Sequence, residues 1–283
     1  MPAFIVLALI LVSLVNAQLS NKLILMVGNK WASYTVTTSR KLLVYVQAVS
    51  HGNVIYTHND SGGKNRIFAI DKHSGNRLAI LTLDGAEAHD WEDIACGPCP
   101  DGGHCVYEGM QEGERNNIYK FREPSSIHDQ HIAIHHTDKL HFTWDQWNCE
   151  TLMVAPDAEL YIISKVNPGH HSEVVHVPKS GWGTGQTIHL SRGTYFTETS
   201  GSQDPVGGDI SPDGHEVLVK EYGHVYYWYV PDGDYLRALS QRPIHLPHRY
   251  ERQGEAVCWE IDGSGYYTLS EGANVPLYFY RRQ

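Results

Sequence analysis

The sequence predicts an all-β protein, a single five-bladed β-propeller closed by an N-terminal strand, and three observations predict it. Short runs rich in Tyr, Val, Ile and Thr, bounded by Gly, Pro, Asn and Asp, dominate the chain, and helical periodicity is scarce. An aromatic-aliphatic strand recurs five times, beginning at Arg66, Asn117, Glu173, Tyr226 and Pro276, so the intervals run from 50 to 56 residues. An earlier strand stands in each unit, as in Val54 to His58, Cys105 to Glu108, Leu160 to Lys165, Glu216 to Lys220 and Gly265 to Glu271. A fixed period of this size means repeated supersecondary units, each unable to bury its own faces. Small antiparallel sheets at that period fit propeller blades, whereas the rival β-sandwich needs no regular interval.

The elements follow in order. Residues 1–17 read as a secretory signal peptide: an apolar run from Phe4 to Val15 precedes Asn16 and Ala17, with cleavage before Gln18. No basic residue precedes that run, so a retained buried strand is the alternative. Residues 18–283 then form the propeller as one domain. Because the fifth unit ends at the last residues of the chain, its fourth strand is expected from Leu23 to Val27 or from Tyr34 to Thr38. The aromatic strands, Tyr226-Tyr227-Trp228-Tyr229 among them, are expected to pack between neighbouring blades.

Five cysteines in a secreted chain suggest disulfides. Cys99 and Cys105 flank a Pro-Asp-Gly-Gly turn and are expected to pair, with a zinc site built from these cysteines and His104 as the alternative.

A short phrase occurs three times: Asp90-Trp91-Glu92, Asn148-Cys149-Glu150 and Gln253-Gly254-Glu255. Each precedes the earlier strand of its unit and so opens the innermost strand of a blade. Alternation along that strand turns Glu92, Glu150 and Glu255 toward the central channel. Asp209 in Gly207-Gly208-Asp209 is the candidate from the fourth blade, with Asp60, Asp90, Asn148 and Gln253 around them. Two carboxylates about 6 Å apart repel by roughly 3 kcal/mol at an effective dielectric near 20. A hard, oxygen-seeking cation relieves that repulsion, and calcium is the expected cofactor. The alternative is a water-filled channel in which the glutamates cap loop N–H groups.

The motifs His58-Asn59-Asp60-Ser61-Gly62-Gly63 and Asp90-Trp91-Glu92-Asp93-Ile94-Ala95 resemble a widespread, largely uncharacterised family of secreted β-propeller proteins. Arg122-Glu123-Pro124, Tyr161 to Lys165 and Ser270-Glu271-Gly272 add to the likeness, which covers nearly the whole mature chain. The resemblance implies a propeller in an extracellular setting. Where such proteins carry a Gly-Asp-x-Gly-Asp-Asn run, this chain has Gly109-Met110-Gln111-Glu112-Gly113-Glu114, so both aspartates are replaced. That departure favours a binding protein over an enzyme.

A net charge of −10, from 22 basic and 32 acidic side chains, provides no basic stripe for nucleic acid. No apolar run is long enough to span a membrane. The expectation is therefore a secreted, monomeric binding or matrix protein with calcium at the channel, its partner an extracellular ligand or a component of a calcium-rich or mineralised matrix. The alternative is a metal-dependent hydrolase of a small ester, phosphoester or glycan, with the three glutamates as metal ligands or acid–base groups. Asn59 opens an Asn-Asp-Ser sequon and is either glycosylated or committed to its loop.

Overall fold

The computed structural model describes residues 22–27, 30–38, 42–44, 46–49, 52–59, 64–88, 90–112, 115–146, 148–165, 171–191, 193–196 and 204–282. The expected signal peptide and Asp60 lie outside the described residues. The chain enters through β1 (Lys22–Val27), β2 (Lys30–Thr38) and β3 (Leu42–Val44). The first blade is β4 (Val46–Val49), β5 (Val54–His58), β6 (Arg66–Asp71) and β7 (Arg77–Asp84). The second begins with β8 (Trp91–Pro98), β9 (His104–Glu112) and β10 (Arg115–Arg122). The chain then returns to the first blade as β11 (Gln130–Ala133), parallel to β7, before β12 (Lys139–Trp144) extends the second.

The third blade is β13 (Cys149–Val154), β14 (Leu160–Ser164) and β15 (Glu173–Val177). After it, β16 (Thr187–Leu190) adds in parallel to β12, and β17 (Thr194–Tyr195) finishes the third blade. The fourth is β18 (Pro205–Ile210), β19 (Glu216–Glu221) and β20 (His224–Tyr229), then helix α1 (Tyr235–Leu239) and β21 (Ile244–Leu246). The fifth is β22 (Gly254–Trp259), β23 (Gly265–Ser270) and β25 (Tyr278–Arg282), with β24 (Gly272–Val275) pairing β3 beside it.

These five sheets form a ring, a five-bladed β-propeller. The inner strands β4, β8, β13, β18 and β22 neighbour one another in succession, and β22 meets β4 to close the circle. Closure comes from the N-terminal side as expected: β2 pairs antiparallel with β25 from Tyr34 opposite Arg282 to Thr38 opposite Tyr278, and β1 adds outside β2.

Five apolar cores lie between successive blades. Alternation along β20 shows how one strand serves two of them: Tyr226 and Trp228 pack toward the third blade and Tyr227 toward the fifth. Tyr229, at the end of the strand, is exposed. Burying each of these rings contributes about 2 kcal/mol, so the aromatic repeat read in the sequence is the glue between blades.

Candidate functional site

Four inner strands carry a β-bulge near their starts, and the bulges occupy equivalent positions. In β8 the pairing jumps from Trp91 to Asp93, in β13 from Cys149 to Thr151, in β18 from Pro205 to Gly207 and in β22 from Gly254 to Ala256. The residues left unpaired are Glu92, Glu150, Val206 and Glu255. A bulge re-aims its extra side chain, and all four of these line one cavity of about 340 Å³ at a mouth of the channel. Asp90, Asn148 and Gln253 line it too.

Asp209 belongs elsewhere. The fourth-blade equivalent of the glutamates is Val206, and Asp209 lies further along β18, lining a separate cavity. Its Oδ2 accepts the backbone N–H of Trp259 at 2.8 Å, which ties β18 to β22, and burial pushes its carboxyl up to about 7. At the next residue after Val206, a Cβ on Gly207 would collide with the carbonyl oxygen of Glu255, so β18 and β22 approach there only through glycine. Asp93 makes a similar tie between the second and third blades, accepting from Leu152 N at 2.8 Å and Ile94 N at 2.9 Å.

A second set of mouth residues comes from the position just after each second strand. Lys165, Tyr222 and Glu271 occupy it in the third, fourth and fifth blades, and all three line the cavity. The backbone N–H of Lys165 donates to Asn148 O at 2.9 Å, and that of Glu271 to Gln253 O at 2.7 Å. The first residue of the phrase thus anchors Lys165 in the third blade and Glu271 in the fifth. Lys165 and Glu271 stood in sequence motifs without a role, and Tyr222 had no signal at all. Side chains at 110–115, where the aspartate run is replaced, lie outside the described residues.

The electrostatics divide the mouth into two clusters. Lys165 Nζ stands 2.6 Å from Glu150 Oε1, and Asn148 Nδ2 donates to the same oxygen at 2.7 Å. Glu92 shares a hydrogen bond with Glu150; burial, then the charges of Glu150 and Asp90, push its carboxyl up to about 10. Opposite, Gln253 Nε2 donates to Glu271 Oε2 at 2.8 Å. Burial, then a hydrogen bond and charge from Glu271, push the Glu255 carboxyl up to about 9, while the Tyr222 hydroxyl bonded to it pulls the other way. Burial works to lower Lys165, but Glu150 and Glu92 outweigh it and hold the ammonium above its ordinary value.

The donor set is all oxygen, apart from Lys165, and suits a hard cation such as calcium: four glutamates, Asp90 and the amide oxygens of Asn148 and Gln253. In the arrangement seen, the carboxyls bond one another and Lys165, and no three His, Cys, Asp or Glu side chains among the described residues stand in metal-ligand geometry. A cation would take the place of the protons held on Glu92 and Glu255. Behind this cluster the fully buried Lys220 stands 3.5 Å from Glu251, and a Cβ at Gly254 would come within 2.7 Å of its Nζ. Glycine in the third phrase leaves room for that ion pair.

At the far end of β8 the Cys99–Cys105 disulfide is present as expected, which removes two of the thiols a zinc site would use. Arg122 Nη1 donates to Gly102 O and Nη2 to Asp101, both at 2.6 Å, across the turn it closes. Cys96, Cys149 and Cys258 are thiols rather than disulfide partners. The carbonyl of Asn59 accepts from His58 Nδ1 at 3.0 Å.

No protein-family model matches the sequence, and no curated protein matches it. Solved structures do match. The major allergen Mala s 1 of Malassezia sympodialis aligns with a TM-score of 0.55 at 11% identity, over 87% of this chain and 95% of that one. The PQQ-bound aldose sugar dehydrogenase of Streptomyces coelicolor aligns with a TM-score of 0.50 at 11% identity, over 88% and 98%. The likeness is one of fold. Among the described residues no helix is long and apolar enough to cross a membrane.

Proposed function

We propose that this protein is a secreted binding propeller whose glutamate-lined mouth takes up a cation, calcium in the first instance, in an extracellular and calcium-rich or matrix setting. One observation carries the reading: the bulge side chains Glu92, Glu150 and Glu255 converge on one cavity, where burial and neighbouring carboxyls push Glu92 up to about 10 and Glu255 to about 9. Bringing buried carboxyls together leaves two stable outcomes near neutral pH, protons retained or a cation admitted. Lys165 already neutralises part of the charge through Glu150, so the remaining surplus faces the cavity. Secretion is supported by the N-terminal apolar run and by the disulfide.

The test is a thermal melt with millimolar calcium and with chelator, on the wild type and on a Glu92→Gln/Glu150→Gln double variant. Calcium raises the melting temperature of the wild type and leaves the variant unmoved. An unmoved wild type overturns the cation reading, and an equal shift in the variant places the cation elsewhere.

A further inference from the structure

The opposite end of the channel holds a second cavity of about 340 Å³ with different chemistry. Its apolar wall is formed by the ends of three inner strands, with Val154 from β13, Ile210 from β18 and Trp259 from β22. Two carboxylates share it, Asp209 of the fourth blade and Glu123 just past β10 of the second. We propose that this cavity binds a small organic ammonium ion whose apolar body lies against Trp259, Ile210 and Val154 and whose charge meets Asp209 and Glu123.

Four features support that assignment. The size and lining are those of a small-molecule site, apolar walls with a few convergent polar groups. Asp209 is held by the 2.8 Å bond from Trp259 N, which fixes its direction without exhausting its acceptor capacity. Among the described residues the Glu123 carboxylate has a long bond alone, 3.4 Å from the Tyr56 hydroxyl. Among the described lining residues no lysine or arginine answers the two acids, and His104 is the sole side chain able to carry positive charge. The cations of neighbouring elements are engaged elsewhere: Arg282 packs over the Trp259 ring but forks onto Glu216 at 2.8 and 3.0 Å, and Lys72 is bound to Glu260 at 2.7 Å.

An anion is therefore repelled, a neutral apolar molecule wastes the carboxylates, and a bare metal ion finds walls of the wrong kind. A compact amine uses both halves of the cavity. Glu123 and Asp209 also both act on the Cys96 thiol, which burial first of all pushes up, so the carboxylates converge on one corner. This cavity and the glutamate mouth are separate, and neither reading depends on the other.

The experiment is calorimetric or NMR titration of the whole protein at pH 8 with 2-phenylethylamine, 2-phenylethanol and phenylacetate, three molecules of one shape and different charge. The amine binds at least tenfold more tightly than the alcohol, and phenylacetate does not bind. Glu123→Gln weakens the amine about tenfold with an unchanged melting temperature, and Asp209→Asn, whose amide oxygen can keep the bond to Trp259 N, weakens it likewise. Val154→Trp fills the cavity and abolishes binding, while Glu150→Gln at the far mouth leaves it unchanged. Equal affinity for amine and alcohol overturns the proposal. So does amine binding that survives Glu123→Gln and Val154→Trp, or that is lost only with Glu150→Gln.

Discussion

Lys72 of the first blade reaches Glu260 of the last at 2.7 Å, with Glu260 buried and the Lys72 side chain 9% exposed. Glu260 also accepts from the Tyr267 hydroxyl at 2.7 Å and from Ile261 N at 3.0 Å, so its carboxylate is fully engaged. The pair sits where the ring joins itself, with Lys72 N bonded to Asn53 O at 2.9 Å on the first-blade side.

Removing one partner of this pair leaves an uncompensated buried charge. Lys72→Met is expected to cost about 3 kcal/mol in urea unfolding, and adding Glu260→Gln to it is expected to recover part of that loss. Equal stability of Lys72→Met and the wild type would sink this account of ring closure.

The mouth gives stability an unusual slope with pH. The folded state holds protons on Glu92 and Glu255 up to about 10 and about 9, well above the ordinary glutamate value of 4.5. Their contribution is therefore complete below the unfolded value and is lost as pH rises through the folded ones. Without added calcium, Glu92→Gln and Glu255→Gln should each flatten that decline and exceed the wild type at pH 8 by on the order of 2 kcal/mol. Chemical denaturation at pH 5 and pH 8 measures it.

His58 works in the other direction. It and Glu108 are fully buried and stand 3.6 Å apart between the first two blades. Burial lowers His58 to about 4 from 6.5 and pushes Glu108 well above its ordinary value. The unfolded chain takes up the His58 proton first, so stability is complete above pH 6.5 and is lost as pH falls toward 4. The wild type should lose about 2 kcal/mol more than His58→Gln between pH 7 and pH 4.5. Parallel pH profiles for the two proteins would refute it.

Val206 holds the ring position of a fourth bulge side chain. Val206→Glu is predicted to lower the melting temperature in chelator by several degrees, since it adds a fourth buried carboxyl to the three at the bulge positions. The same variant should show a larger calcium-induced rise than the wild type. A rise smaller than the wild type's would separate Val206 from the cation site.

The legible part of this molecule was the part written as repetition. Five aromatic strands at intervals of 50 to 56 residues imply five blades, and the phrase ending in Glu92, Glu150 or Glu255 marks a bulge that sequence can register only as a recurring triplet. Asp209 is the acid that sequence offers for the fourth blade, whereas the equivalent residue, Val206, is identified only by pairing: the bulge falls between Pro205 and Gly207. Lys165, Tyr222 and Glu271 share one structural position and no chemistry, so no pattern could have united them. The ties made by Asp93 and Asp209 across inner strands depend on contacts between distant segments, which spacing along the chain does not encode.

The pairing of β2 with β25 also sets a timetable for the chain as it is made. Strands of the first four blades find their inner partners soon after synthesis, but β2 has no antiparallel neighbour beyond β1 until Tyr278 to Arg282 has been added. Until β25 is added one edge of the growing arc waits unpaired, and its arrival converts an open fan into a circle.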